Sequence, residues 1–186
     1  MFDKKRGFTL IEMLVVVAII VISSTSITFQ LNNVFKNKAI QSMQTKIPRF
    51  FSNACSTSKS SGERLYFTLD FENGVMITFR DEERDESSQK DKLELSKLLD
   101  YRIVSTTGND NTVSNKNFYR TTETGNMNQG FSLYLFKKNE NIPQLRIAIS
   151  TTSNLQYAQI NLYEPKDNIC YTSYHNTNRW EWVRDF

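Results

Sequence analysis

Histidine is almost missing from this 186-residue chain: His175 is the only one. No Gly-x-Ser-x-Gly, Cys-His or phosphate-loop pattern accompanies it. In the segment Tyr174-His175-Asn176 it reads as a surface or capping residue at the end of a strand, and the scattered carboxylates form no pair that spacing assigns to acid-base work. Catalysis is therefore not expected, and neither is a cofactor. Cysteine is equally sparse. Cys55 and Cys170 lack a second Cys or a His at zinc-site spacing, which argues against a tetrahedral metal site. Two readings stay open for them. Paired in an exported domain, they would close a loop long enough to contribute about 4 to 5 kcal/mol. Unpaired, Cys55 packs on a helix face and Cys170 points inward from a strand.

Charge of one sign is lacking too. The 23 basic and 20 acidic residues leave a formal net charge of +3, so no strong whole-chain field draws in nucleic acid. Two further absences are local. No proline or glycine occurs between Phe8 and Ile47, and no Lys, Arg or Asp between Arg6 and Lys36. What remains in that window is apolar: from Phe8 to Ile22 only Thr9 and Glu12 interrupt the run, and uncharged Ser/Thr-rich sequence carries it on to Phe29. A helix over these residues would span roughly 33 Å, enough for a hydrocarbon core of about 30 Å. Lys4, Lys5 and Arg6 precede it, so the positive-inside rule puts the N-terminus in the cytoplasm and the rest of the chain outside.

A secretory signal is cleaved after its apolar run, at small residues. Here the small flexible residue, Gly7, comes before the run, so cleavage at Gly7 would leave the apolar helix attached to the mature chain. Glu12 is the second anomaly. A carboxylate inside a membrane helix costs about 3 kcal/mol and calls for a partner. A new amino terminus at Phe8, one helical turn away, would be one, and the terminus of a neighbouring subunit another. The plainer alternative is an interfacial Glu12 that snorkels to the cytoplasmic side.

The stretch Lys5-Arg6-Gly7-Phe8-Thr9-Leu10-Ile11-Glu12-Met13-Leu14 resembles the prepilin cleavage and methylation motif of type IV pilins and of the pseudopilins of secretion and competence systems. The resemblance covers about thirty residues. It implies that prepilin peptidase cuts after Gly7 and methylates the amine of Phe8, and that Glu12 is the assembly residue. The partners it implies are other pilin or pseudopilin subunits, prepilin peptidase, an inner-membrane assembly platform and membrane lipid. It places the chain first in the cell membrane, single-pass, and then in a filament. Many major pilins carry a helix-breaking proline in the middle of this apolar segment. Its absence here points to a minor pilin or pseudopilin.

Length allows one globular unit plus an anchor. The expected organisation is a leader at 1–7, a membrane or filament-core helix at 8–30, its amphipathic continuation at 31–61 and a β-rich head at 62–186. Ile40, Met43, Ile47, Phe50, Phe51 and Ala54 recur at steps of three and four, with Lys38, Gln41, Gln44 and Lys46 opposite. Pro48 should kink this helix or break its hydrogen bonding there, and residues 56–62, STSKSSG, should end it. Beyond Gly62 the period becomes two. Strands are expected at 65–69, 75–79, 101–105, 131–137, 144–149, 158–163, 169–174 and 180–183, the first two forming a hairpin over Glu72-Asn73-Gly74. The fold class is thus α+β, a long N-terminal helix on an antiparallel sheet arranged as a meander or sandwich.

Residues 80–92, RDEERDESSQKDK, read as an exposed charged loop, without the spaced ligands and central glycine of an EF-hand. Residues 106–130 read as a long surface loop. Tyr163, Tyr171, Tyr174, Trp180, Trp182 and Phe186 crowd the end of the chain, with Trp180 and Trp182 sharing a sheet face. Core packing is the ordinary account. The sharper one is a filament-tip binding module whose aromatics contact DNA or a host ligand.

Overall fold

A computed structural model describes residues 9–105, 116–151, 158–166 and 176–185, without the side chains of 25–29, 177, 184 and 185. The chain divides into two compact units, one ending at Phe35 and the other spanning Lys36–Phe186.

Helix α1 runs from Leu10 to Ser61. Pro48 lies within it. Proline removes one backbone bond, the one Gln44 would accept. Tertiary packing compensates, because Met43, Ile47, Phe50, Phe51, Ala54 and Cys55 on the same stretch are all buried, as is Pro48 itself. The helix stops where Gly62 turns left-handed, at φ +69°, and donates its N–H to the Ser58 carbonyl at 2.9 Å.

Within the second unit the buried face of α1 joins one core with both sheets. Phe51, fully buried, meets Phe67 at 5.3 Å and Phe131 at 5.6 Å between ring centroids. Burial of each such side chain stabilises by about 1.5 to 3 kcal/mol. Phe67, Leu69 and Met76 line the core from one sheet, and Leu133, Ile147 and Ile160 from the other. Lys36 ties the start of this unit to the turn at 138–142, donating to the Lys138 carbonyl at 2.9 Å and pairing with Glu140 at 3.3 Å.

The described residues form nine antiparallel strands: β1 Tyr66–Asp70, β2 Val75–Phe79, β3 Gln89–Glu94, β4 Leu99–Ser105, β5 Lys116–Arg120, β6 Phe131–Lys137, β7 Pro143–Ser150, β8 Gln159–Pro165 and β9 Trp180–Asp185. They make a four-stranded sheet, β3-β2-β1-β5, and a five-stranded one, β4-β6-β7-β8-β9. The expected strand at 169–174 lies outside the described residues.

Two expected loops are corrected. Only the first part of the charged stretch 80–92 is loop, ending in a 3-10 turn at Glu86–Ser88, and its second part opens β3. An edge strand needs no apolar face, and its charges discourage further pairing, so β3 carries no alternation to read. Of residues 106–130, β5 occupies Lys116–Arg120, with Asn117 and Tyr119 inward and Phe118 outward. The following turn is tucked in rather than on the surface: Thr121 bridges Met127, and both are buried.

The β1–β2 turn is closed by Asp70, whose side chain is 7% exposed. Burial opposes its ionisation. The backbone and side-chain N–H groups of Asn73, at 3.0 and 2.8 Å, and Lys116 at 3.2 Å outweigh that cost and hold its pKa below the ordinary value. A depressed carboxylate contributes stability that is present above its unfolded pKa, about 3.9, and is lost as pH falls through the folded value. Asp70→Asn should therefore lower the unfolding temperature at pH 7 and flatten its decline in acid. Equal acid sensitivity of the two proteins in a thermal melt series would remove Asp70 from that role.

Candidate functional site

The N-terminal turn of α1 is built from Thr9 and Glu12. The Glu12 carboxylate accepts the backbone N–H of Thr9 at 2.8 Å and its hydroxyl at 2.9 Å. The Glu12 N–H donates back to the Thr9 hydroxyl oxygen at 3.3 Å. Met13 N–H then makes the first helical bond, to the Thr9 carbonyl at 3.2 Å. This is a capping box, Thr at the N-cap and Glu at the third helical position, which satisfies two of the donors every helix start leaves open. Sequence reasoning treated Glu12 as a charge in search of a cation and passed over Thr9. The signal was there, since Thr-x-x-Glu ahead of an apolar run is itself a helix-start pattern.

From that turn onward the helix is apolar on every side. Leu10, Ile11, Met13, Leu14, Val15, Val16, Val17, Ile19, Ile20, Val21 and Ile22 are all exposed, the least so Val16 at 43%. An ordinary surface helix hides one stripe and shows charge on the other. This one shows hydrocarbon all round, an exposed apolar area far beyond what a soluble monomer carries. The run with described side chains, Leu10 to Ser24, is about 22 Å long at 1.5 Å per residue. Among the described residues no helix is long and apolar enough to cross a membrane.

The remaining expected positions fall as follows. Gly7 and Phe8, the expected cleavage pair, lie outside the described residues, as do Cys170 and His175. Cys55 is a buried free thiol, and burial pushes its pKa up to about 12. A thiol so placed is almost wholly protonated at neutral pH. Trp180 and Trp182 fall two positions apart on β9, opposite Pro165 and Tyr163. Trp180 packs into a small buried cluster with Tyr134 and Phe136, whereas Trp182 is 57% exposed. Among the described residues, no group of His, Cys, Asp or Glu is placed to hold a metal ion.

Comparison with known proteins bears on the N-terminal turn. Residues 2–28 match the family model of the prokaryotic N-terminal methylation motif. Among curated proteins nothing matches the chain. Among solved structures the fold is similar to the minor pseudopilin EpsH from the type II secretion system of Vibrio cholerae, at 14% identity and a TM-score of 0.46, over 61% of this chain and 91% of that one. The segment that contains Thr9 and Glu12 thus carries the prokaryotic N-terminal methylation motif.

Proposed function

We propose that the chain is a structural, non-enzymatic subunit of a type IV pilus-like filament, a minor pilin or pseudopilin. It is cut after Gly7 by prepilin peptidase and methylated at Phe8. It waits in the membrane as a single-pass protein with its head outside. The observation that carries this reading is the helix start: a capped carboxylate at Glu12 followed by side chains apolar on every face. Hydrocarbon on all sides of a helix is stable only in lipid or among like helices, and a filament core supplies the second environment once the first is left.

The full apolar run of the sequence, Phe8 to Phe29, has the length a bilayer asks for. Continuity of α1 from Leu10 to Ser61 supports the minor-subunit reading, since a bulk subunit of the common kind carries a breaker within this segment. Glu12 then has two successive partners, Thr9 of its own chain and the amino terminus of a neighbour.

Intact-mass spectrometry of protein recovered from filaments tests the processing step. The expected mature chain begins at Phe8, with the mass of one added methyl group. Filament-borne protein that still begins at Met1 would overturn the proposal.

A further inference from the structure

One end of the five-stranded sheet gathers cations that no part of the assembly reading uses. β4 begins there at Leu99, β6 ends at Lys137, β7 begins at Pro143, β8 ends at Pro165 and β9 begins at Trp180. The antiparallel register sets these ends side by side, pairing Leu99 with Lys137, Phe136 with Pro143 and Pro165 with Trp180. Lys97, Lys138, Lys166 and Arg179 stand exposed at that end, and Lys137 is half-buried. Backbone bonds join the turns that carry them. The Lys138 N–H donates to the Leu98 carbonyl and the Lys166 N–H to the Arg179 carbonyl, both at 2.9 Å.

Among the described residues none of these five cations pairs with a carboxylate. Of the acids at the same end, Glu140 is taken by Lys36, Asp100 accepts the Asn139 N–H at 3.2 Å, and Glu164 and Glu181 face each other across β8 and β9. Two aliphatic side chains stand out between the cations, Leu98 at 38% exposure and Ile142 at 37%. Lys36 fixes where this end lies along the chain. It bonds to the Lys138 carbonyl and follows Phe29, the last residue of the apolar run, by seven positions, about 11 Å along α1. Whatever the tilt of the helix, that separation cannot grow.

We infer that this end of the head is a foot that docks on an anionic phospholipid bilayer, an inference that rests on the membrane-anchored reading above. The lysines and Arg179 meet lipid phosphates, and Leu98 and Ile142 enter the boundary between headgroups and acyl chains. An anionic surface acts over about one Debye length, roughly 8 to 10 Å, which is close to the distance at which the chain holds Lys36. The apolar tips decide among anions. The acidic stretch 81–86 of a second copy could meet the same cations, but it contains no apolar residue and would leave Leu98 and Ile142 in water. A soluble phosphate polymer fails in the same way.

The test reconstitutes the full chain in vesicles of phosphatidylcholine brominated near the headgroup end of its acyl chains, with or without phosphatidylglycerol. Tryptophan fluorescence is the readout, and the parent's Trp180 and Trp182 supply the baseline. In anionic vesicles the emission added by Leu98→Trp should be quenched by about half. That added by Ser60→Trp, at an exposed position about 36 Å beyond Lys36 along α1, should not be quenched. Each lysine at an anionic surface is worth about fivefold, so Lys138→Gln combined with Lys166→Gln should lower the ratio of docked to undocked heads about twenty-five-fold. Thermal melts matching the parent's would show that these surface variants fold. Vesicle flotation separates this inference from the reading beneath it. A chain that does not float overturns the anchor and the foot with it. A chain that floats, with the Leu98→Trp emission unquenched or equally quenched without phosphatidylglycerol, overturns the foot alone. Loss of quenching on Glu82→Gln combined with Glu83→Gln would give the cations to a second copy and likewise overturn the inference.

Discussion

Glu12→Gln is expected to leave the protein processed and inserted yet reduce its recovery in filaments about a hundredfold or more. Glutamine serves in a capping box nearly as well as glutamate, so the helix start at Thr9 survives the change. The negative charge is lost. If the carboxylate neutralises a neighbour's amino terminus inside the filament, its removal strands an ammonium in an apolar environment, at a cost of about 3 to 5 kcal/mol. Each 1.4 kcal/mol is a factor of ten.

Thr9→Val reverses the test. It keeps the charge and removes the hydroxyl that exchanges hydrogen bonds with Glu12, a loss of about 1 kcal/mol. Incorporation should then fall by no more than about fivefold to tenfold. Quantitative immunoblotting of sheared filaments against the membrane fraction reads both. Parental incorporation of Glu12→Gln would end the pairing role and reduce Glu12 to a helix cap.

On the proposed function, the capping box also explains how a carboxylate is tolerated so close to lipid. Before assembly its lone pairs are occupied by Thr9 of the same chain. A neighbouring ammonium can therefore take over the carboxylate by exchange, without a prior stage in which the charge is unsolvated and alone.

Legibility of this fold from sequence followed the range of the interactions. The buried face of α1, Met43 to Ala54, and the hairpin β1–β2 both repeat with the period of their own element, so local pattern sufficed. β3 and β5 failed for opposite reasons. β3 is an edge whose charges, not its hydrophobes, define it. In β5 the apolar Phe118 points outward while Asn117 points into the core, because its place is set by pairing with β1, nearly fifty positions earlier. Pro48 stays inside α1 with buried packing on both sides of it, a context that its intrinsic preference alone does not show. The cationic end from Lys97 to Arg179 could not be seen at all in one dimension. Its members lie at the ends of different strands, and only the register of four strand pairs makes them neighbours.

Gly125→Ala should be the most damaging single-methyl change in the head, lowering its stability by about 2 to 4 kcal/mol. The residue has φ +82°, where a side chain costs about 1 to 2 kcal/mol on its own. Space is the larger obstacle. A Cβ here would stand 2.7 Å from the Cys55 carbonyl oxygen and 2.8 Å from the Lys59 Cβ, both on α1. The obstructing groups are helix backbone and a Cβ, neither of which can swing aside, so relief requires the 121–130 turn to lift from the helix.

That turn is where the helix end is fastened to the sheet. The buried Ser58 hydroxyl donates to the Glu63 carbonyl and lies 2.8 Å from the Thr122 carbonyl oxygen, while accepting from the Thr121 hydroxyl at 2.8 Å. The Thr121 oxygen in turn receives the Leu65 N–H at 2.8 Å. Lifting the turn by a few tenths of an ångström lengthens these bonds together, so the cost is shared by a network rather than confined to one contact. For a head of this size, each kcal/mol lost lowers the unfolding temperature by about 2 to 4 °C, and differential scanning calorimetry should show a fall of about 5 to 15 °C. Ser58→Ala supplies the comparison, because it removes the centre of the same network without adding bulk and should cost about 1 to 3 kcal/mol. The double variant should lose less than the sum of the two, since a turn already displaced by the Gly125 change has little left to lose at Ser58. Full additivity would show that the glycine and the serine act separately, and that close approach at Gly125 is not what seats the Ser58 network.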